Sequence, residues 1–305
     1  HRIDEVFQIA DRVTILRDGR WIGTFPTHPR PLQGGEGVEN ISKDELIEMM
    51  VGRKLNEEFP KRQVKIGREI LSLKSVTRKG IIEDISFELR EGEILGITGL
   101  MGSGRTEVVR AIFGADEIDE GDIYLDGNKV DIKSPIDAIK MGISLLTEDR
   151  KAYGLILNMT VRENITLASL KNLSKFSVIK RRQECEAADR FINELRIKTP
   201  SREQTTGNLS GGNQQKVVLS KWLLANSKVV IFDEPTKGID VGAKAEIYNL
   251  MNQLTESGVG IIMISSELPE VLGMSDRIIV MYEGRIKTEL SAENATQTQI
   301  MNYAA

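Results

Sequence analysis

The segment "GEILGITGLMGSGRTEVVRAI" at 92–112 decides the fold, because an apolar run, a glycine-rich loop and a helical pattern follow one another in it. A strand before a glycine loop and a helix after it are the context that a phosphate-binding loop requires. The glycines allow backbone N–H groups to turn inward, and the helix N-terminus adds a partial positive charge. The predicted nucleotide-binding residues are Gly99, Leu100, Met101, Gly102, Ser103, Gly104, Arg105 and Thr106.

One position of this loop departs from the usual pattern. Arg105 stands where such loops carry lysine, and its planar guanidinium is bulkier than an ammonium group. Thr106 keeps the hydroxyl that can reach Mg²⁺. A dinucleotide-binding turn is the alternative for a glycine cluster, but its final glycine is missing here, which disfavours it.

Two carboxylates end the apolar run "VVIFDE" at 229–234. Buried charge without a partner is costly, so a pair of acids at the end of a buried strand indicates a function. At the carboxyl end of a parallel strand both would face the ligand crevice. We predict that Asp233 holds Mg²⁺ and that Glu234 orients or deprotonates an attacking water. A surface turn is the less favoured alternative.

A second candidate anion site lies in "LSGGNQQKVVLSKWLLA" at 209–225. Ser210, Gly211 and Gly212 precede a helical pattern, so free N–H groups and the helix dipole could receive an anion. A plain serine–glycine helix start is the alternative. The segment lies about 20 residues before the acidic strand end and follows a helix-rich stretch.

Charge, cysteine content and hydropathy argue against a nucleic-acid-binding protein, a disulfide-stabilised protein and a membrane-spanning protein. The chain has 305 residues, a formal net charge of −4 and one cysteine, Cys185. The charge gives no overall attraction to nucleic acid or to an anionic membrane, and one cysteine cannot form an intrachain disulfide. No apolar run approaches the roughly 20 residues that a membrane span needs.

The chain contains an internal repeat. "HRIDEVFQIADRVTILRDGR" at 1–20 matches "SELPEVLGMSDRIIVMYEGR" at 266–285 without a gap. Repeats of this kind indicate repeated structural units. We therefore expect 1–67 to be the end of an upstream sister domain plus a linker, 68–290 to be a complete domain, and 291–305 to be a tail. The identical pairs are Glu5/Glu270, Val6/Val271, Asp11/Asp276, Arg12/Arg277, Gly19/Gly284 and Arg20/Arg285.

Strand patterns alternate with helical ones through 68–290, which predicts an α/β fold with a mainly parallel sheet. A helix-rich insertion at about 155–221 interrupts it. From 70 to 285 the order of motifs resembles that of ATP-binding cassette (ABC) domains: phosphate loop, helical insertion, "LSGGNQQK", "VVIFDEPT", "GIDVG" and "ISSELPEV". The details "GRTE", "TEDRKAYGL" and "EPTKGIDVGAK" resemble the second cassette of the two-cassette ATPase subunit in ribose- and galactose-type sugar importers.

The resemblance implies a P-loop ATPase fold of the ABC type, with a parallel core sheet, an antiparallel β subdomain and a helical subdomain. It implies that the chain binds ATP and Mg²⁺, with Thr106 and Asp233 as metal ligands, Glu234 and Asp233 as catalytic residues and Glu148 near the phosphates. Ser266 falls at the switch-histidine position, which His1 occupies in the first copy. The signature motif, which acts in trans on the partner cassette, comprises Leu209, Ser210, Gly211, Gly212 and Gln214.

The same resemblance implies a weak nucleotide site in this cassette. Arg105, Glu148 and Ser266 replace the usual lysine, glutamine and histidine, and "KSVTRKG" at 74–80 offers no aromatic side chain to stack on adenine. Cassettes pair head to tail, so the intact signature would serve the site of the sister cassette. The implied partners are that sister cassette, transmembrane permease subunits and, indirectly, a sugar-binding protein, with no nucleic acid. The implied location is the cytoplasmic side of the inner membrane, held through the permease.

Two other functions remain open from the sequence. A soluble cassette ATPase acting in DNA repair or translation is disfavoured by the acidic balance and by the lack of basic tracts. A regulatory cassette that binds nucleotide without turnover is the other alternative.

Overall fold

Strands and helices alternate in the computed structural model of the chain, which describes residues 7, 9–17, 20–27, 45–46, 49, 59–60, 62 and 64–304. Ser42, which its spacing from Glu45 marks as a candidate helix N-cap, and His1, which the repeat aligns with Ser266, lie outside these residues. In chain order the elements are β1 Arg12–Arg17, β2 Arg20–Pro26, β3 Glu69–Arg78, β4 Ile82–Arg90, β5 Ile94–Gly99, α1 Arg105–Ile112, β6 Glu120–Leu125, β7 Asn128–Val130, α2 Pro135–Lys140, β8 Ile143–Leu146, a π-helical turn Arg150–Gly154, α3 Val161–Thr166, β9 Ser174–Lys175, β10 Val178–Ile179, α4 Arg181–Glu194, α5 Gly211–Leu224, β11 Val229–Asp233, α6 Val241–Glu256, β12 Gly260–Ile264, α7 Leu268–Met274, β13 Arg277–Tyr282, β14 Arg285–Ser291 and α8 Gln297–Ala304.

A six-stranded sheet forms the centre of the fold, in the order β14-β13-β5-β12-β11-β8. The last five strands of that order are parallel, and β14 is antiparallel to β13. Every residue of β11 and β12 is buried, as expected for parallel strands covered on both faces. The parallel strands end at one edge of the sheet, so β5, β8, β11 and β12 deliver the residues that follow them to the same place.

A four-stranded antiparallel sheet, in the order β4-β3-β6-β7, lies beside the central sheet. Its alternating apolar residues Ile85, Phe87 and Leu89 join the same hydrophobic core as β5 and β11. Ile82, at the start of β4, packs next to Gly104. The predicted combination of a parallel core with an antiparallel β unit is therefore confirmed.

Helices α3, α4 and α5 lie between β8 and β11 in the chain, within the predicted helical insertion. A capping box of Thr160 and Glu163 starts α3. Arg162 of α3 and Glu184 of α4 are both buried and form an ion pair of 2.7 Å. Because a buried charge is tolerated only when it is paired, this contact fixes how the two helices meet.

The internal repeat is visible as two matching hairpins. Strands β1 and β2 pair antiparallel, as β13 and β14 do. Strands β1 and β13 lie inside the aligned stretches, and β2 and β14 begin at their last residues, Arg20 and Arg285. Each hairpin has a register shift at the aligned position, between Ile15 and Leu16 in the first and between Val280 and Met281 in the second. The similarity of the two copies thus extends to a β-bulge.

The segment predicted as a tail contains α8. Its residues Ile300 and Ala304 pack with Val271, Ile278 and Val280 in a small apolar cluster. In the described part of the chain, the helices are too short or too polar to cross a bilayer.

Candidate functional site

The phosphate loop joins β5 to α1 at the carboxyl edge of the central sheet. Gly104 is the N-cap of α1 with a φ of 95°, and a Cβ at Gly99 would lie 2.3 Å from the carbonyl oxygen of Met281. Both positions therefore require glycine. The first N–H groups of α1 have no partner within the helix, and its dipole favours an anion there.

The loop also contains an unsatisfied polar atom. Ser103 is 4% exposed, and its Oγ is buried without a hydrogen-bond partner. Such an atom usually has a role, because leaving it unpaired is costly. Leu100 is half-exposed and Met101 is 96% exposed, so the tip of the loop projects into solvent.

Asp233 and Thr106 meet at the start of α1. The Thr106 hydroxyl donates to Asp233 Oδ1 at 3.3 Å. Asp233 is buried at the end of β11, and burial, helped by the charges of Glu148 and Glu234, raises its pKa to about 7. Because burial makes the ionised form of Asp233 costly, a cation bound beside it would stabilise that form.

The two groups fit Mg²⁺ if phosphate oxygens complete its shell. Mg²⁺ commonly takes one or two protein oxygens together with substrate phosphates and water. No group of three His, Cys, Asp or Glu residues within the described ranges could hold a metal ion without such a ligand.

Glu234 is held by groups from two segments, the end of β12 with the turn after it and the start of α1. Its backbone has a φ of 49°, which is unusual for a non-glycine residue, and its N–H donates to the Ile264 carbonyl at 3.0 Å. Its Oε2 accepts a 3.1 Å hydrogen bond from the Ser266 hydroxyl, and its Oε1 lies 3.8 Å from Arg105 Nη1. Burial raises the pKa of Glu234, and Ser266 and Arg105 oppose that rise.

Arg105 bridges two strand ends. Besides pairing with Glu234 it donates from Nη1 to the Ser265 carbonyl at 3.2 Å, and its side chain is 12% exposed. The guanidinium of Arg105 therefore contacts Glu234, which follows β11, and Ser265, which follows β12. This contact with Ser265 was not predicted from the sequence.

Glu148 lies at the edge of the site. Its carboxylate is exposed and forms an ion pair with Lys237, which raises the pKa of that lysine. Lys237 belongs to the segment "EPTKGID" that follows Glu234. The only signal in the sequence that could have indicated Lys237 was its position directly after the acidic strand end.

The signature segment starts α5. Ser210 is the N-cap and is exposed, but its Oγ bonds to Asn213 Nδ2 at 2.8 Å instead of capping the helix. A Cβ on Gly211 would lie 2.5 Å from Nη2 of Arg150, so a larger residue at this position would have to displace the end of that arginine side chain.

The two signature residues with larger side chains, Leu209 and Gln214, face inward. Gln214 is buried and donates to the Thr206 carbonyl at 3.3 Å, and Leu209 packs on the core. No hydrogen bond or ion pair joins 209–214 to 99–106, two segments that the structure describes in full. The loop and the carboxylates thus form one site, and the signature a separate surface.

The chain is similar in sequence to known transport proteins. The family described as ABC transporter matches residues 82–237. The ribose import ATP-binding protein of Oceanobacillus iheyensis is 51% identical over 304 residues, and the xylose import ATP-binding protein of Thermoanaerobacter pseudethanolicus is 51% identical over 312 residues. Each match covers 100% of this chain but only 59% and 60%, respectively, of those two proteins.

Solved structures with the same fold include two crystal structures of cassettes. An ATP-binding cassette of an ABC transporter in its ADP conformation has a TM-score of 0.63 and 26% identity, covering 78% of this chain and 95% of that one. A nucleotide-free cassette has a TM-score of 0.65 and 24% identity, covering 77% of this chain and 95% of that one. These likenesses confirm the predicted fold.

Proposed function

Because the chain belongs to the ABC transporter family, we propose that it is the second cassette of an ATP-hydrolysing subunit that powers the import of a monosaccharide. The observation that carries the proposal is the meeting of the phosphate loop with Asp233 and Glu234 at one edge of the sheet. The full-length matches to ribose and xylose import proteins support a monosaccharide as the cargo.

In this proposal ATP lies with its phosphates in the loop at 99–106. The N–H groups of the loop and of the first turn of α1 bind phosphate oxygens, and the unsatisfied Ser103 hydroxyl gains a partner. Thr106 and Asp233 hold Mg²⁺, which offsets the charge of the phosphates. Glu234 orients the attacking water.

Turnover at this cassette's own site is slow. The Glu234 carboxylate already accepts a hydrogen bond from Ser266 and lies 3.8 Å from the Arg105 guanidinium, and both contacts make it a weaker base. Ser266 supplies a hydroxyl where a histidine would add charge, and 74–80 has no aromatic side chain for the base.

The signature serves the other site of a head-to-tail pair of cassettes. Ser210 is exposed at the N-terminus of a 14-residue helix, and no bond joins it to this chain's own loop. Relatives of about 1.7 times the length of this chain leave room for a sister cassette, which the repeat at 1–20 also supports. Most hydrolysis then occurs on the sister cassette's loop.

The remaining partners follow from the import function. Permease subunits hold the two cassettes at the cytoplasmic face of the membrane, and a sugar-binding protein delivers the cargo to the permease. Neither contact requires a membrane-spanning helix in this chain.

Binding and hydrolysis by the purified chain test the proposal. We expect saturable Mg·ATP binding with a turnover well below the range of about 1–100 per second that is typical of kinases. Isothermal titration calorimetry and phosphate release measure the two quantities, with Glu234→Gln to identify any contaminating ATPase. No binding at millimolar ATP contradicts the site, and a fast turnover abolished by Glu234→Gln contradicts the slow-site assignment.

A further inference from the structure

Glu270 lies behind the candidate site, and the proposed function does not use it. It belongs to α7 and is 1% exposed. Its Oε2 accepts a hydrogen bond from the Ser265 hydroxyl, while its Oε1 is buried without a hydrogen bond of ordinary geometry, although the side chains of Thr236 and Tyr248 also interact with the carboxyl group. Burial raises the pKa of Glu270. Because a buried acid without a cation is costly, its presence calls for a role.

Ser265 connects this acid to the phosphate loop. Its Oγ donates to Glu270 and accepts a 3.0 Å hydrogen bond from the Glu267 N–H. Its carbonyl oxygen accepts two hydrogen bonds of 3.2 Å, from Arg105 Nη1 and from the Thr98 hydroxyl. The orientation of the Ser265 side chain and that of its carbonyl group are therefore fixed together.

The next residue connects the same turn to Glu234. Ser266 donates to Glu234 Oε2 at 3.1 Å, and Arg105 approaches Glu234 Oε1 to 3.8 Å. A rotation of the 265–266 turn would thus move two of the groups that contact Glu234. Because these hydrogen bonds connect Glu270 to the 265–266 turn and the turn to Arg105 and Glu234, a change in the position of Glu270 would also move the groups that contact Glu234.

The internal repeat supports a role that does not depend on the residue at position 266. The first copy has His1 where the second has Ser266, yet both have glutamate four residues later, as Glu5 and Glu270. The acid is thus present with either side chain at the switch position.

We propose that Glu270 is a positioning residue that fixes the 265–266 turn through Ser265, and so sets where Arg105 and Ser266 meet Glu234. This inference rests on the proposed nucleotide site. Glu270 touches neither nucleotide nor metal, and it acts through the Ser265 hydroxyl.

The test is a double-mutant cycle on Mg·ATP affinity, measured by calorimetry on the full chain. We expect Glu270→Ala to weaken binding about tenfold, because the turn and Arg105 lose their fixed positions. Glu270→Gln should bind within about twofold of wild type, since its amide oxygen still accepts the Ser265 proton. In an Arg105→Ala background, Glu270→Ala should add less than about twofold, because the residue it positions is gone.

Two further variants keep the test decisive. Ser265→Ala removes the connecting hydroxyl at little cost in volume, and it should reproduce the loss even if Glu270→Ala does not fold. Glu267→Gln, an exposed acid on the same turn, is the matched control and should leave affinity unchanged. Wild-type affinity in folded Ser265→Ala or Glu270→Ala, or full additivity with Arg105→Ala, overturns the inference alone. A wild-type chain that binds no Mg·ATP overturns the proposed function as well.

Discussion

Single residues decide how this site differs from a phosphate loop with lysine. A lysine ammonium is a compact point charge, whereas Arg105 spreads its charge over a plane with several donors. That geometry lets one guanidinium approach Glu234 and bond to the Ser265 carbonyl together. The length of the Arg105 side chain thus brings its positive charge close to Glu234, the residue that we expect to orient the attacking water. A phosphate that binds to the Arg105 guanidinium must therefore compete with Glu234 and with the Ser265 carbonyl.

Thr106 offers a residue-scale prediction about the metal. Thr106→Ala removes the hydroxyl that lies 3.3 Å from Asp233, so Mg²⁺ would lose one of the two protein ligands that we propose for it. We expect the gain in ATP affinity on adding Mg²⁺ to fall about tenfold, a typical effect of altering a metal shell. Titrations of ATP with Mg²⁺ and with a chelator measure that gain. Thr106→Ser retains the hydroxyl and should behave as wild type; an unchanged Mg²⁺ effect in Thr106→Ala would remove this residue from the metal site.

Between elements, a buried lysine connects α5 to the π-helical turn. Lys221 is 7% exposed, and its Nζ donates to the Gly154 carbonyl at 2.7 Å. It forms no ion pair with any residue that the structure describes, and burial lowers its pKa to about 8. The turn at 150–154 follows Glu148, and α5 begins at the signature. The buried ammonium group of Lys221 thus connects α5 to the π-helical turn, although burying its charge lowers the stability of the fold.

The free energy of unfolding should depend on pH because Lys221 is buried. The folded pKa of Lys221 lies below the value of 10.5 expected in the unfolded chain, so the unfolded state holds more protons between the two values. Stability should therefore rise with pH in that window, by about 1 kcal/mol between pH 7.5 and 9 from this residue. Urea unfolding at several pH values measures the rise.

The matched comparison isolates Lys221 from other groups that titrate in the same range. Lys221→Met should lose this part of the pH dependence, and Lys171→Met, which removes an exposed lysine, should retain it. Equal slopes for wild type and Lys221→Met would show that the lysine is not held in a costly environment.

At the scale of the whole molecule, the chain presents a loop site and a signature surface that do not touch. In the proposed head-to-tail pair, the loop site would face the signature of the sister cassette, and the signature surface would face the loop of that same cassette. The asymmetry that we propose rests on residue differences: the signature glycines Gly211 and Gly212 are intact, whereas the loop has Arg105 and the proposed switch position has Ser266.

Steady-state ATPase of the complete two-cassette protein tests that asymmetry. Ser210→Arg or Gly211→Asp should lower activity about 100-fold or more, because bulk and, for aspartate, negative charge occupy the position of a phosphate. Arg105→Ala should cost much less, since it affects the slower site. Ser210 is exposed, so its substitution should not alter folding, and thermal melting checks this. Equal losses for Arg105→Ala and Gly211→Asp would refute the asymmetric pair.

The sequence predicted the secondary-structure elements better than it predicted the contacts between them. Hydrophobic periodicity and glycine spacing are local, so β5, the loop and α1 could be placed from 92–112 alone. The bond from Arg105 to Ser265 joins residues 160 positions apart and depends on the pairing of β5 with β12. The contact of Lys221 with Gly154 likewise requires the path of the π-helical turn. Such contacts arise from strand register and packing, which no local pattern encodes.

The hairpin of β1 and β2 has a practical consequence for handling the protein. Strand β13 pairs with β14 on one side and β5 on the other, whereas β1 pairs only with β2 among the residues described. Leu16 and Trp21 are 67% and 66% exposed, although Met281, the counterpart of Leu16, is 1% exposed. An open strand edge with apolar side chains is a template for another strand. The purified chain of 305 residues should therefore self-associate through this edge when concentrated, whereas in the proposed two-cassette protein a strand of the sister cassette would cover it.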